Sequence, residues 1–120
     1  MPHVMVEGPC DVVAVHENFV PSEHRTGDTV LKWKQSYLSA HRSETLIEAV
    51  VVEGRRAQSF FVSLAQRSNG VMVKIPLITD PEKTDGVKRL VADMGLALKR
   101  QHPDCRFGQT NLMDYLKEEG

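Results

Sequence analysis

The sequence has few of the features that define a class of protein by themselves. It carries only two cysteines, and aromatic residues make up 6% of the chain. No apolar run approaches the ~20 residues that a membrane-spanning helix needs, and no basic start followed by an apolar stretch predicts a secretory signal. The formal net charge is −1, unlike the strongly basic composition of dedicated nucleic-acid binders. We therefore expect a cytoplasmic protein with no membrane partner.

Recognisable phosphate-binding loops are also missing. The eight glycines are scattered and form neither a dinucleotide fingerprint nor a P-loop, so the sequence predicts no cofactor. Cys10 and Cys105 lie near opposite ends of the chain. A disulfide between them is conceivable, but since nothing else points to an oxidising compartment, we favour two free thiols.

The composition is that of a globular protein. A chain of 120 residues, 41% hydrophobic and 26% charged, is long enough for one core and too short for two. Residues 1–120 are therefore predicted to form a single domain of the α+β class.

A helix is predicted over about 81–101. Asp80 is a suitable N-cap and Pro81 suits the first helical position. An apolar stripe then follows with helical spacing: Val87, Leu90, Val91, Met94 and Leu98. Gly95 lies beside the stripe and would let this long amphipathic C-terminal helix approach a sheet closely.

The chain ahead of this helix has the pattern of consecutive strands. Thr45 to Glu53 is rich in β-branched residues, Gln58 to Arg67 alternates with period two, and Asn69-Gly70 favours a tight hairpin. We interpret Asp11 to Phe19 as a further strand, followed by a turn region from Pro21 to Asp28. Together these patterns predict an antiparallel β-meander of four to six strands.

Three segments are less clearly defined. Residues 29–40 fit either a strand or a helix, and we favour a strand because residues 40–45 then make a simple hairpin connection. His3 to Val6 would add an edge strand. A short terminal helix is possible at 110–117.

One helix covers only one face of such a sheet, yet the predicted strands are apolar on both alternations. A large bare apolar face is uncommon on a monomer. The leading hypothesis is therefore a binding or assembly module that forms a homo-oligomer through the uncovered face, with a small ligand or a second protein as other partners.

Basic and aromatic residues lie close together in the middle of the chain, where bases outnumber acids. Aromatic side chains on a basic sheet can stack single-stranded bases while Lys and Arg bind phosphates. This gives a nucleic-acid hypothesis with the candidate binding residues Lys32, Trp33, Lys34, Tyr37, Arg55 and Arg56. His16, Glu17, Glu23 and His24 have no compact metal-ligand spacing, so no metal site is predicted.

The two ends of the chain suggest a different class. The start, Pro2-His3-Val4-Met5-Val6-Glu7, resembles that of small isomerases of the tautomerase superfamily, and His102-Pro103 with Phe107, Gln109 and Asn111 is similar to the end of the carboxymethyl-hydroxymuconate isomerase branch. The resemblance implies a β-α-β repeat, trimers and keto–enol tautomerisation with Pro2 as general base. The middle departs from the family, which has a helix straight after the first strand where we predict consecutive strands.

Overall fold

The computed structural model describes residues 1–116, which form an α+β structure on one antiparallel sheet. The seven strands are β1 (His3–Glu7), β2 (Ser22–Thr26), β3 (Thr29–Leu38), β4 (Glu44–Glu53), β5 (Arg56–Arg67), β6 (Gly70–Lys74) and β7 (Arg106–Thr110). The helices are α1 (Val12–Glu17), α2 (Asp85–Gln101) and α3 (Met113–Leu116), and none is long and apolar enough to cross a membrane. The predicted class is confirmed, but the predicted number of four to six strands is too low.

The strand order across the sheet is β2-β3-β4-β5-β6-β1-β7. Strands β2 to β6 follow one another as a meander, and the ambiguous residues 29–40 supply strand β3. Strand β1 is not at an edge, since Val4 lies opposite Val73 of β6 on one side and Thr110 of β7 on the other. The true edges are β2, within the predicted turn region, and β7, which we did not predict. Strand β2 is exposed on both faces, so it has no apolar alternation to reveal it.

The segment from Asp11 to Phe19 is not a strand but contains helix α1. Asp11 caps the helix, its Oδ1 accepting a hydrogen bond from the Val13 nitrogen at 2.9 Å. The buried residues Val12 and Val15 are one helical turn apart, and the Thr45 hydroxyl donates to the Val12 carbonyl at 2.9 Å. Packing on the sheet thus overrides the β propensity of these valines.

Helix α2 begins at Asp85 rather than near residue 81. Its N-cap is Thr84, whose hydroxyl accepts from the Val87 nitrogen at 3.3 Å, whereas Asp80 pairs with Lys83 at 2.5 Å. The predicted apolar stripe is buried, and so are Ala92 and Leu96, because α3 packs against α2 as well. A Cβ on Gly95 would lie 2.9 Å from a Val4 methyl, which confirms the close approach to the sheet.

The short terminal helix is α3, beginning later than the predicted residue 110. Leu112 and Leu116 are buried against the core, and Tyr115 is half-buried. Residue 117, the predicted end, lies outside the described residues. All three helices occupy the same side of the sheet: α1 contacts β4 through Thr45, α2 contacts β1 through Val4, and α3 packs on α2.

Candidate functional site

The surface opposite the helices is the open face of the sheet, and it is the candidate site. Side chains on a strand alternate between the two faces. On β4, the buried residues Ile47, Ala49 and Val51 point to the helices, and their partly exposed neighbours point the other way. Strand pairing then identifies the apolar side chains of the open face: Met5, Val30, Tyr37, Leu46, Val50, Val52, Ala57, Phe61, Ala65 and Met72.

An aromatic pair lies on the open face. The rings of Tyr37 and Phe61 meet edge to face, with centroids 6.3 Å apart and planes inclined by 66°. Tyr37 is 49% exposed, and Phe61 is half-buried. No helix among residues 1–116 packs over these rings, so the pair offers apolar and aromatic contact area to a partner.

Charges of both signs surround this apolar surface. The Lys34 ammonium lies 3.7 Å from the Glu48 carboxylate, and the hydroxyl of fully buried Ser63 donates to Glu44 at 2.5 Å. The strand register and the ion pairs place four acids and six bases on the open face: Glu7, Glu23, Glu44 and Glu48 against Arg25, Lys32, Lys34, Arg67, Lys74 and Arg106. The face therefore mixes both signs, with two more bases than acids.

The structure separates the residues of the nucleic-acid hypothesis. Trp33 lies opposite Ala49 and packs on the core from the helix side, whereas Tyr37 lies opposite Leu46 on the open face. The cause is an irregularity in the β3–β4 register between Trp33 and Gln35, which shifts the alternation by one residue. The two aromatic rings do not form one stacking surface.

The remaining basic candidates are also dispersed. Lys32 and Lys34 reach the open face, but Arg55 lies in the β4–β5 turn. The Arg56 guanidinium is 2.5 Å from the Glu82 carboxylate, and this hydrogen bond raises the pKa of Arg56 and lowers the pKa of Glu82. Arg56 thus binds the loop before α2 to the edge of β5.

Pro2 is buried and lines a cavity of about 510 Å³. The cavity lies between the start of β1, the first turns of α2 and the segment that leads into α3. Its polar lining consists of Lys83, Lys88, Asn111, Asp114 and Tyr115. The amide of Asn111 anchors the chain start by donating to the Met1 carbonyl at 2.8 Å.

A second cleft, of about 360 Å³, separates α2 from the β2–β3 edge. Its carboxylates already have partners: Glu53 accepts from the Gly86 nitrogen at 2.8 Å, and Asp85 accepts from the Tyr115 hydroxyl at 2.5 Å. The bond to Asp85 raises the pKa of Tyr115. These contacts hold the start of α2 against the sheet and against α3.

The histidines of the sequence do not converge. His16 lies in α1 with its Nδ1 2.7 Å from the Ser36 hydroxyl, and His24 lies in β2 with its Nε2 3.1 Å from the Thr26 hydroxyl. Across residues 1–116 there is no group of three or more side chains that could hold a metal ion.

Comparison with known proteins identifies no relative. No family model matches the chain, and neither the curated proteins nor the solved structures give a match. The resemblance of the two chain ends to the tautomerase superfamily therefore depends on those short motifs alone. Helix α1 does follow β1 directly, as in that family, but every strand pair described is antiparallel, without the parallel pair of a β-α-β unit.

Proposed function

We propose that this protein is a self-associating module in which two copies stack through their open faces. The observation that carries the proposal is the partly exposed apolar surface around Tyr37 and Phe61, which no helix among the described residues covers. A contiguous apolar surface of this kind is typical of an interaction site. Stacking two sheets through such faces gives a β-sandwich interface.

The size of the face suits a stable dimer. Strands about 4.8 Å apart with a rise of about 3.3 Å per residue give the five strands from β3 to β1 a flat area of roughly 600 Å². The accessible surface is larger than this flat area because side chains project from the sheet, so it approaches the ~800 Å² per partner of a standard interface. A small ligand would leave most of this surface exposed.

The charges favour a second copy over a nucleic acid. A phosphate backbone is bound by clustered Lys and Arg residues, but the open face interleaves its six bases with four acids. In a two-fold dimer the same patch faces itself, so a patch with both signs can pair its own Lys and Glu residues. Lys32 is exposed and lies opposite Val50, and Glu48 is half-exposed and lies opposite Phe61.

The first experiment measures the mass of the chain in solution by sedimentation velocity over a range of concentrations. We expect a dimer in the native protein, and a dissociation constant raised roughly 30-fold or more by Val50→Glu, because the substitution places an unpaired charge in the centre of the interface. Val20→Glu is the matched control, since Val20 is 73% exposed in the connection between α1 and β2. It should dimerise as the native protein does.

Two outcomes would contradict this function: a native chain that remains monomeric at high concentration, or a Val50→Glu chain that dimerises normally. If Val50→Glu does not fold by circular dichroism, Tyr37→Lys provides the same test. Tyr37 is 49% exposed, so its replacement leaves the core intact.

A second candidate function is a small isomerase with Pro2 as general base, favoured by the position of Pro2 in the wall of a cavity. After removal of Met1, the nitrogen of Pro2 would be a secondary amine. Lys88 in the same cavity would attract an anionic enol substrate and favour the unprotonated amine.

This candidate is tested with phenylenolpyruvate and the N-terminally processed chain. We expect tautomerase activity that is lost in Pro2→Ala and in a chain with one extra N-terminal residue. Lys99→Ala is the control, because Lys99 lies on the last turn of α2 and outside this cavity. This variant should keep the tautomerase activity. Absence of activity in the processed native chain would eliminate the isomerase.

A further inference from the structure

The fold brings the two cysteines together in one small region of the core. Cys105 precedes β7, and the pairing of Glu7 with Arg106 places it opposite Gly8. Cys10 follows the Gly8-Pro9 turn, and its Sγ points back to the Val6 carbonyl at 3.3 Å. Both side chains are only 3% exposed.

Gly8 is the residue that allows this approach. A Cβ at Gly8 would lie 2.8 Å from the Cys105 Sγ and 3.0 Å from its Cα. Gly8 also has a φ of 130°, in a region that L side chains rarely adopt. The Cys10 Sγ is 4.0 Å from the carbonyl oxygen of the same glycine. Both thiols therefore lie beside Gly8.

We propose that Cys10 and Cys105 are a disulfide-forming pair that cross-links the end of β1 to the start of β7. Both thiols are free in the structure, so the described state is the reduced one. No other cysteine exists in the chain to compete for either thiol within one molecule. The cross-link would join segments far apart in sequence.

The oxidant is a small-molecule disulfide. A thiolate of one cysteine attacks a sulfur of this disulfide, forms a mixed disulfide and releases one small thiol. The second cysteine then loses its proton, attacks the protein sulfur of the mixed disulfide and releases the second small thiol. Two protein thiols are oxidised, and one small disulfide is reduced to two thiols.

Burial affects when this reaction occurs. It raises the pKa of Cys10 to about 11, and the adjacent Cys105 thiol contributes to the same shift. Since the thiolate is the reacting form, the folded reduced chain is protected. Oxidation is therefore expected while the chain folds, before both thiols are covered.

The experiment refolds the reduced, urea-unfolded full-length chain with oxidised glutathione and determines its intact mass and peptide map. We expect a monomeric chain lighter by two hydrogens, a peptide that links Cys10 to Cys105, and a melting temperature roughly 10 °C above that of the reduced chain. Dithiothreitol should reverse both changes.

Cys105→Ser is the control, and it should acquire one glutathione without a gain in melting temperature. Glutathione adducts on both cysteines of the native chain, or chains linked to one another, would overturn the proposal. A cross-linked chain that melts below the reduced one would overturn it as well, because the bond would then distort the fold. The intact mass and the peptide map of the native chain test the proposal even if the Cys105→Ser variant does not fold.

Discussion

At the scale of single residues, Cys10 is the side chain whose titration depends most on its surroundings. Its thiol is buried beside a second thiol and donates to the Val6 carbonyl. All of the larger causes favour the neutral thiol, so its pKa rises from the ordinary 9.0 to about 11. Folding therefore stabilises the protonated form of Cys10.

This shift predicts a loss of stability in alkali. The contribution of Cys10 is complete below about pH 9, the unfolded value, and is lost as the pH rises through about 11, the folded value. Between these limits the free energy of unfolding of the reduced chain should fall by ~2 kcal/mol more than that of Cys10→Ala. Urea denaturation at several pH values measures both. The prediction is wrong if the free energies of unfolding of the two chains fall by the same amount as the pH rises.

The register irregularity between Trp33 and Gln35 shows what residue patterns do not reveal. Plain alternation predicts that Trp33 and Tyr37 share a face, and by the same rule that Lys32 and Lys34 lie together on the other. The extra residue moves Tyr37 to the face of Lys32. A bulge depends on pairing with β4 rather than on a local signature, so the composition of the open face could not be predicted residue by residue.

At the scale of elements, helix α2 shows how a cap fixes a boundary. Asp80 and Pro81 have the residue types of a helix start, but the loop before Thr84 is used to cover the edge of β5. The Glu82 nitrogen and carbonyl bond to the Gln58 side chain at 2.7 and 3.2 Å, and the Phe61 nitrogen donates to Thr79 at 3.2 Å. The bond to Thr79 satisfies a β5 backbone group that β6 is too short to reach, and the bonds to Gln58 hold the loop beside β5.

We predict that Thr84→Ala destabilises the protein by ~1 kcal/mol, because the Val87 nitrogen loses its acceptor. Asp80→Ala is the comparison, since Asp80 makes only an exposed pair with Lys83, and it should change stability by less than ~0.5 kcal/mol. Urea denaturation of both variants at neutral pH gives the two values. If Asp80→Ala destabilises the protein more than Thr84→Ala, the helix is capped by Asp80, as the residue types alone suggest.

Elements with a strong pattern of their own were predictable, and elements defined by their neighbours were not. The spacing from Val87 to Leu98 and the Asn69-Gly70 turn identified α2 and the β5–β6 hairpin. Helix α1 is six residues long and rich in valine, so its pattern is equally that of a strand. Only its position over Thr45 and the caps at its ends determine its conformation.

At the scale of the whole molecule, the three described helices lie on one side of the sheet, and none of them covers the other side. The sequence predicted one helix on one face of the sheet, and the described part of the structure has three helices on that face. Neither the contributing side chains nor the balance of their charges was accessible from the sequence, because both depend on strand register.

The mixture of acids and bases on the open face predicts how association responds to salt. We expect the dissociation constant of the dimer to change by less than about tenfold between low and high salt, because apolar contact supplies most of the affinity and exposed ion pairs contribute little. Sedimentation at several salt concentrations measures this. If high salt weakens the affinity of the dimer by ~10³-fold or more, charge dominates the interface, and the prediction of an apolar interface is wrong.

The position of β1 between β6 and β7 has a consequence for folding. Strand β1 precedes both of its partners in the chain and pairs with residues 70–74 and 106–110, so its two hydrogen-bonding edges stay unpaired until those residues have been made. The meander from β2 to β6 contains only short-range connections and can assemble earlier. Because pairings between distant segments slow folding, we expect the insertion of β1 to be the late, rate-limiting step.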